Sequence, residues 1–282
     1  MFVDFHTHTT ASDGTYKPED LVKKAKSIGI EIIALTDHDT VSGFNEIDDK
    51  FDDDPVISVI KGVEISVEYP TDSLHILGYN FKDFETVGKV LNELIDFRNR
   101  RNDMILKKMN DMGFAANMEE VKRIAKGKAV GRPHFARLMV EKGYVKSIDE
   151  AFQRYLKDGA PLFVEKKRLK PKEAIELIKS AGGVAIMAHP YNILDGLPLL
   201  PEGSPDSFEG YIIGLVKLGL DGLEVFYSTH TMAQTDELLR IAKKYDLLMT
   251  AGSDFHGDNK PSVRLGMNTP YKYLRKFLSK LG

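Results

Sequence analysis

Short apolar runs alternate with amphipathic stretches at both ends of the chain. Residues 2–5 (FVDF) form a first strand candidate. Pro18 then opens a helix with Leu21, Val22, Ala25 and Ile28 on one face, and Gly29 stops it. Residues 31–36 (EIIALT) have the character of a fully buried strand, and 42–50 form a weaker helix. Further strands are expected at 56–60 and 74–79, the second after turn residues 70–73.

The last third repeats this grammar. Pro171 opens a helix with Ala174, Ile175 and Ile178, stopped by Gly182 and Gly183. Strands at 184–188, 222–226 and 247–252 then alternate with helices at 208–218 and 231–245. Helices between short apolar strands imply crossover connections and a parallel sheet or barrel.

The middle is different. A long helix over 86–112 carries Leu91, Leu94, Ile95, Ile105 and Met109, and shorter helices are expected at 118–125, 133–141 and 148–156. The next strand candidate is 161–164. Residues 95–168 therefore read as a helical insertion, with 1–94 and 169–282 forming the α/β domain. Without the insertion roughly 210 residues remain, short for an eight-stranded barrel of about 250 and suited to seven strands.

Composition narrows the chemistry. The 282 residues are 42% hydrophobic and 29% charged, which is ordinary for a globular chain. Net charge is -3 with the basic residues dispersed, so no footprint for duplex DNA or an anionic membrane is present. The start lacks a signal peptide's basic and apolar regions, and no run approaches about 18 apolar residues, so a cytoplasmic location is expected. Cysteine is absent, which removes disulfides, thiolate nucleophiles and iron–sulfur clusters.

The eight histidines gain meaning from their positions. His6 and His8 follow the first strand, and an i, i+2 pair there projects to one side. Asp13 sits in the turn just after them. Asp37, His38 and Asp39 follow 31–36, although either aspartate also suits a helix N-cap. Glu64 lies after the third strand's Gly62, and His75 lies early in LHILGY. His189 terminates 184–188, Glu224 lies inside 222–226, and His230 is in the next loop. Asp254 and His256 end the last strand with the same i, i+2 spacing.

In parallel α/β folds the active site lies at the strands' C-terminal edge. His6, His8, Asp13, His38, Glu64, His75, His189, Asp254 and His256 can converge there as nitrogen and carboxylate donors. Such a ring without thiolates suits Mn, Fe, Zn or Co, and nine donors permit two or three divalent ions. Glu64 is the natural bridging carboxylate. Clustered ions activate water and clamp the oxygens of an in-line displacement, so phosphate-ester hydrolysis is the best-fitting reaction.

FHTHTTASDGT, ALTDHDTVSG, KGVEIS, LHILGY, MAHP and GSDFHG, in this order, resemble the motifs of the PHP (polymerase and histidinol phosphatase) superfamily over nearly the whole chain. The insertion around Gly131-Arg132-Pro133-His134 and the segment GLEVFYSTHT (222–231) resemble its bacterial phosphoesterase branch. That branch includes nucleoside 3′,5′-bisphosphate phosphatases and related AMP phosphatases, and some members remove 5′ nucleotides from short RNAs. The resemblance implies a distorted seven-stranded (β/α)7 TIM-like barrel with a helical cap over its rim. It also implies a trinuclear centre, with His6, His8, Glu64 and Asp254 at one ion, Glu64, His75 and His189 at a second, and Asp13, His38 and His256 at a third.

The implied reaction is attack of metal-activated hydroxide on phosphorus in a small nucleotide. Arg132 and His134 are candidates for the substrate phosphate, though the same residues also read as an ordinary helix start. His230 is a candidate for phosphate binding or for protonating the leaving oxygen, and Asp39 is its rival in proton transfer. Lys260 and Arg264 are further phosphate candidates, whereas Arg98, Arg100 and Arg101 read mainly as a solvated helix face. Alternatives are a 5′→3′ exonuclease on short RNA, a histidinol-phosphate phosphatase (disfavoured by the insertion) and a non-catalytic metal-binding module (disfavoured by the complete donor set).

Overall fold

Strands made almost wholly of apolar residues need cover on both faces, and this chain supplies it by curling one sheet around an apolar interior and packing helices on its outside. A computed structural model describes residues 1–47, 51, 54–69, 74–125, 130–165, 167–194 and 207–281. The expected turn at 70–73 and the end of the expected helix at 42–50 lie outside them; Ser42–Glu46 is a 3₁₀ turn.

The chain forms two compact units, Met1–Lys89 with Arg168–Gly282, and Val90–Lys167. The first unit contains strands β1 (Phe2–Asp4), β2 (Ile32–Leu35), β3 (Ser58–Ser66), β4 (His75–Tyr79), β5 (Val184–Met187), β6 (Gly222–Tyr227), β7 (Leu248–Gly252) and β8 (Met267–Asn268). Helices α1 (Pro18–Ser27), α6 (Pro171–Ser180), α7 (Phe208–Lys217) and α8 (Met232–Lys244) connect them, and α9 (Tyr271–Leu278) ends the unit. Helix α2 (Phe84–Asp111) begins in this unit and runs into the second, which also holds α3 (Met118–Ala125), α4 (Arg132–Glu141) and α5 (Ile148–Ala151).

The sheet order is β7-β6-β5-β4-β3-β2-β1-β8. Beyond the regular ladder, Phe5 N–H donates to Ala251 O at 2.9 Å and Asp254 N–H to His6 O at 2.8 Å, tying β7 back to β1. The first seven strands thus make a nearly closed, barrel-shaped sheet, with two-residue β8 appended to β1 in antiparallel pairing. Val3, Phe5, Leu77, Tyr79, Ile186 and Ala251 fill its interior with Leu274 and Phe277 of α9. Burial of a side chain such as Phe277 contributes about 1.5–3 kcal/mol.

β4 departs from the all-parallel expectation, being antiparallel to both β3 and β5. The cause is the connection's length: β3 ends at Ser66 and β4 starts at His75, whereas a parallel crossover needs about a dozen residues or more. The expected strand at 161–164 is also absent. Those residues are turn and irregular backbone, with Leu162 N–H donating to Tyr155 O at 2.8 Å. Leu162 instead joins Ile105, Val121, Phe135, Met139 and Leu156 in the second unit's core. Among the described residues, no helix is long and apolar enough to cross a membrane.

Candidate metal centre

The C-terminal ends of the parallel strands define one rim of the barrel. Because β4 runs the other way, its first residue, His75, reaches that same rim. In sequence His75 is a lone histidine among apolar residues, which alone suits a core position; the reversal of β4 is what carries it to the rim.

Three overlapping groups of donors form there. His6, His8, Glu64 and Asp254 bring one donor atom each within 4.8 Å of one another, as do His8, Asp13, His38 and His256, and likewise His38, Glu64 and His75. Glu64 is at the hub. Its Oε1 lies 2.8 Å from His75 Nδ1 and 2.9 Å from His189 Nε2. Its Oε2 lies 3.2 Å from both His6 Nε2 and His8 Nε2 and 2.9 Å from His38 Nδ1. Asp254 Oδ1 approaches His8 Nε2 at 3.2 Å, and Asp13 Oδ1 approaches His256 Nε2 at 3.1 Å. All nine expected donors are therefore brought together, with His8 and His38 shared between groups more than the resemblance implied.

A divalent cation fits this set on one physical ground. His6 Nε2, both ring nitrogens of His8, Asp13 Oδ1, His38 Nδ1, Glu64 Oε2 and His189 Nδ1 are buried without a hydrogen-bond partner. Burying polar atoms unpaired is costly, and the donors of each of the three groups lie within 4.8 Å of one another. A divalent cation held among them would satisfy these atoms, and nitrogen and oxygen donors without thiolates suit Mn, Fe or Zn. Burial would push the Glu64 carboxyl up, but His38, His6 and His75 outweigh it and hold it well below the carboxylate range. For His75 burial outweighs Glu64, and the imidazole falls to about 4.

The backbone at the rim is constrained. Asp39, His189 and Asp254 have φ of 54°, 27° and 59°, in the left-handed region that non-glycine residues avoid. Supporting contacts hold these turns. Asp39 Oδ1 accepts Ser66 N–H at 2.8 Å, so its carboxylate braces the end of β3. Asp37 caps no helix; it accepts Thr9 N–H (2.8 Å), Thr9 Oγ1–H (2.7 Å) and Ser12 Oγ–H (2.6 Å) and so shapes the loop before Asp13. The loop is tight, since a Cβ on Gly14 would sit 2.2 Å from His8 O.

The remaining candidates are dispersed. Lys260 Nζ lies 2.6 Å from Asp254 Oδ2, which also accepts Tyr227 Oη–H at 2.8 Å, leaving Oδ1 for the rim. Arg264 is exposed, and among the described residues no hydrogen bond or ion pair joins it to the donors. His230 Nδ1 donates to Val225 O at 3.2 Å while Nε2 is buried without a partner. The neutral ring therefore offers an acceptor at Nε2, and burial lowers its pKa. Within the insertion, Arg132 Nη1 donates to Leu156 O (3.3 Å) and Asp158 Oδ1 (3.1 Å), and His134 Nδ1 accepts Gly131 N–H at 3.0 Å at the start of α4. Arg98 is half-buried and Arg100 exposed, but Arg101 is only 6% exposed and donates to Asn102 Oδ1 at 3.0 Å, so it is not part of a solvated face.

Sequence reasoning gave no role to Asp4 or Glu224. Each is wholly buried, and each accepts hydrogen bonds from backbone at the rim. The available signal was a lone carboxylate inside an apolar strand, which needs a partner.

Comparison with known proteins yields three kinds of match. A family model for the PHP domain matches residues 4–181. A 5′-3′ exoribonuclease of Haemophilus influenzae is 36% identical over 256 residues, covering 90% of this chain and 89% of that protein. A 3′,5′-nucleoside bisphosphate phosphatase of Chromobacterium violaceum is 28% identical over 266 residues, covering 94% and 90%. A solved structure from Bifidobacterium adolescentis, proposed to be a metal-dependent phosphoesterase, superposes with a TM-score of 0.72 at 29% identity, covering 98% of this chain and 95% of that one.

Proposed function

The chain belongs to the PHP-domain family of metal-dependent phosphoesterases, and from that premise we propose that it hydrolyses a phosphate monoester of a small nucleotide, such as a nucleoside 3′,5′-bisphosphate or AMP. The observation that carries this reading is the set of buried, partnerless donors converging on Glu64. His6, His8, Glu64 and Asp254 are proposed to hold one ion, Glu64, His75 and His189 a second, and Asp13, His38 and His256 a third. When bound, divalent ions supply activation of water for attack at phosphorus and offset charge on the phosphoryl oxygens.

The chain's own residues are proposed to do the rest. Arg132 supplies a guanidinium fork for a substrate phosphate, with His134 beside it in sequence. His230 Nε2, as an acceptor, suits a substrate hydroxyl; donating a proton to a leaving oxygen requires its imidazolium form. Lys260 offsets charge at Asp254 and offers a second cation to the phosphate. Asp39 remains a proton-transfer candidate, though its carboxylate already braces Ser66.

A second reading is removal of 5′ nucleotides from short RNA, favoured by the 36% identity to an exoribonuclease. Both reactions need the same centre and differ in the bond cleaved. The test is product analysis with Mn²⁺ on adenosine 3′,5′-bisphosphate, AMP, histidinol phosphate and a short 5′-phosphorylated RNA. Inorganic phosphate from the bisphosphate or AMP is expected. Mononucleotide release from RNA without phosphate release would replace the first reading by the second. Release from histidinol phosphate alone would move the substrate class, and no release from any would overturn both readings.

A further inference from the structure

Glu224 lies in the middle of β6, wholly buried beneath the donor ring, and it belongs to none of the three donor groups. Its two oxygens are both in use. Oε1 is 2.9 Å from His6 Nδ1, and Oε2 accepts the backbone N–H of His189 at 2.7 Å. A carboxylate only accepts, so the contact with His6 places a proton on Nδ1. The other ring nitrogen, Nε2, faces Glu64 Oε2 at 3.2 Å and Asp254 Oδ1 at 3.6 Å, and is the atom left to offer a lone pair to a bound cation. The second contact acts on a different donor. His189 sits at φ 27°, and the bond to its N–H holds that strained turn, whose side chain reaches Glu64 Oε1.

Neighbouring residues make room for this arrangement. A Cβ on Gly252 would lie 2.3 Å from Glu224 Oε1 and 2.3 Å from His6 Cβ. The glycine at that point of β7 is therefore a spatial requirement of the Glu224–His6 contact.

We infer that Glu224 is a positioning residue that sets two donors at once, fixing the tautomer of His6 through Oε1 and the backbone of His189 through Oε2. The inference rests on reading the rim as a metal centre. Its consequence is specific. The His189 N–H cannot change its donor character, whereas the His6 ring can exchange tautomers. In Glu224→Gln the single amide oxygen turns to His189, and the amide NH₂ faces His6. The ring then accepts at Nδ1 and carries its proton on Nε2, on the atom that should face a cation. Substitutions of such supporting groups typically weaken metal binding roughly 10–100-fold.

Two measurements test this. The first is Zn²⁺ affinity of wild type and Glu224→Gln by chelator competition, with circular dichroism as the folding control. Binding weaker by about 10-fold or more in the folded variant is expected. Equal affinity overturns the inference and leaves the metal-centre reading standing, while a wild type that binds no Zn²⁺ overturns both. The second needs no variant: two-bond ¹H–¹⁵N correlation on Zn²⁺-loaded, ¹⁵N-histidine-labelled wild type. A proton on Nδ1 of His6 supports the inference, and a proton on Nε2 overturns it even where the variant fails to fold.

Discussion

His75 Nδ1 lies 2.8 Å from Glu64 Oε1 across two strands that run in opposite directions. The reversal of β4 makes this contact, because it brings the first residue of one strand to the rim where the other ends. The same carboxylate meets His189 through Oε1 and His6, His8 and His38 through Oε2. One buried side chain thus touches imidazoles carried by four other strands or the turns that follow them.

Glu64→Ala removes both oxygens at the hub, so it should release more than one equivalent of bound metal. The loss of charge stabilisation at phosphorus should lower kcat by roughly 10³-fold or more, about 4 kcal/mol. Elemental analysis of purified protein checks the first statement and steady-state kinetics the second. A variant with wild-type metal content would show that Glu64 does not bridge.

Chelation should lower thermal stability reversibly. Lone pairs of His6, His8, His38 and Glu64 are buried against one another, and a cation bound only to the folded state adds about 2.7 kcal/mol at a hundredfold excess over its Kd. The melting temperature should fall by roughly 5–10 °C on metal removal. It should recover when Mn²⁺ is returned. An identical melting curve for metal-loaded and stripped protein would contradict this account of the orphaned donors.

The donor ring was legible because every member stands at a strand end or in the turn beside one, and ionisable groups after buried strands have few structural uses. His6 and His8, like Asp254 and His256, also advertise themselves through i, i+2 spacing. Glu224 was not legible: nothing in GLEVFY says which ring its carboxylate meets, because His6 is 218 positions away in sequence. The direction of β4 was not readable, because strands expected at 56–60 and 74–79 leave room for a crossover; the connection is short only because β3 runs on to Ser66. Helix α9 went unread because Lys272, Arg275 and Lys276 are interspersed among its apolar residues, and only the closed barrel supplies the interior that Leu274 and Phe277 fill.

Acid should erase one contribution far from the rim. Lys244 above all, with Arg240 and Tyr245, holds the Glu209 carboxyl at about 2 against an ordinary 4.5, outweighing burial. A depressed carboxyl stabilises the fold fully above 4.5, and that contribution is lost as pH falls through about 2. The basic partners are about half exposed, so screening limits the effect to about 1 kcal/mol. Glu209→Gln should therefore melt roughly 2–4 °C lower at pH 7. The gap to wild type should narrow between pH 4.5 and 2, with metal content unchanged. A gap that stays constant across that range would assign the loss to packing instead of charge.

Arg132 supports its own surroundings as well as being the proposed phosphate ligand, so its substitution must separate the two. Nη1 is engaged by Leu156 O and Asp158 Oδ1, and Asp158 is 84% exposed, which makes that ion pair worth little. A guanidinium has five N–H donors, so others remain for a phosphate. Arg132→Ala should lower kcat/KM by roughly 10–100-fold, the scale of a lost charged hydrogen bond of about 1.5–3 kcal/mol. Metal content should be unchanged, because Arg132 contributes no donor atom. Arg132→Lys should recover only part of the loss, since an ammonium cannot form the two parallel bonds of the fork. If Arg132→Ala folds, keeps its metal and turns over both the bisphosphate and the RNA as wild type does, Arg132 is a structural residue of the insertion and the phosphate is bound elsewhere.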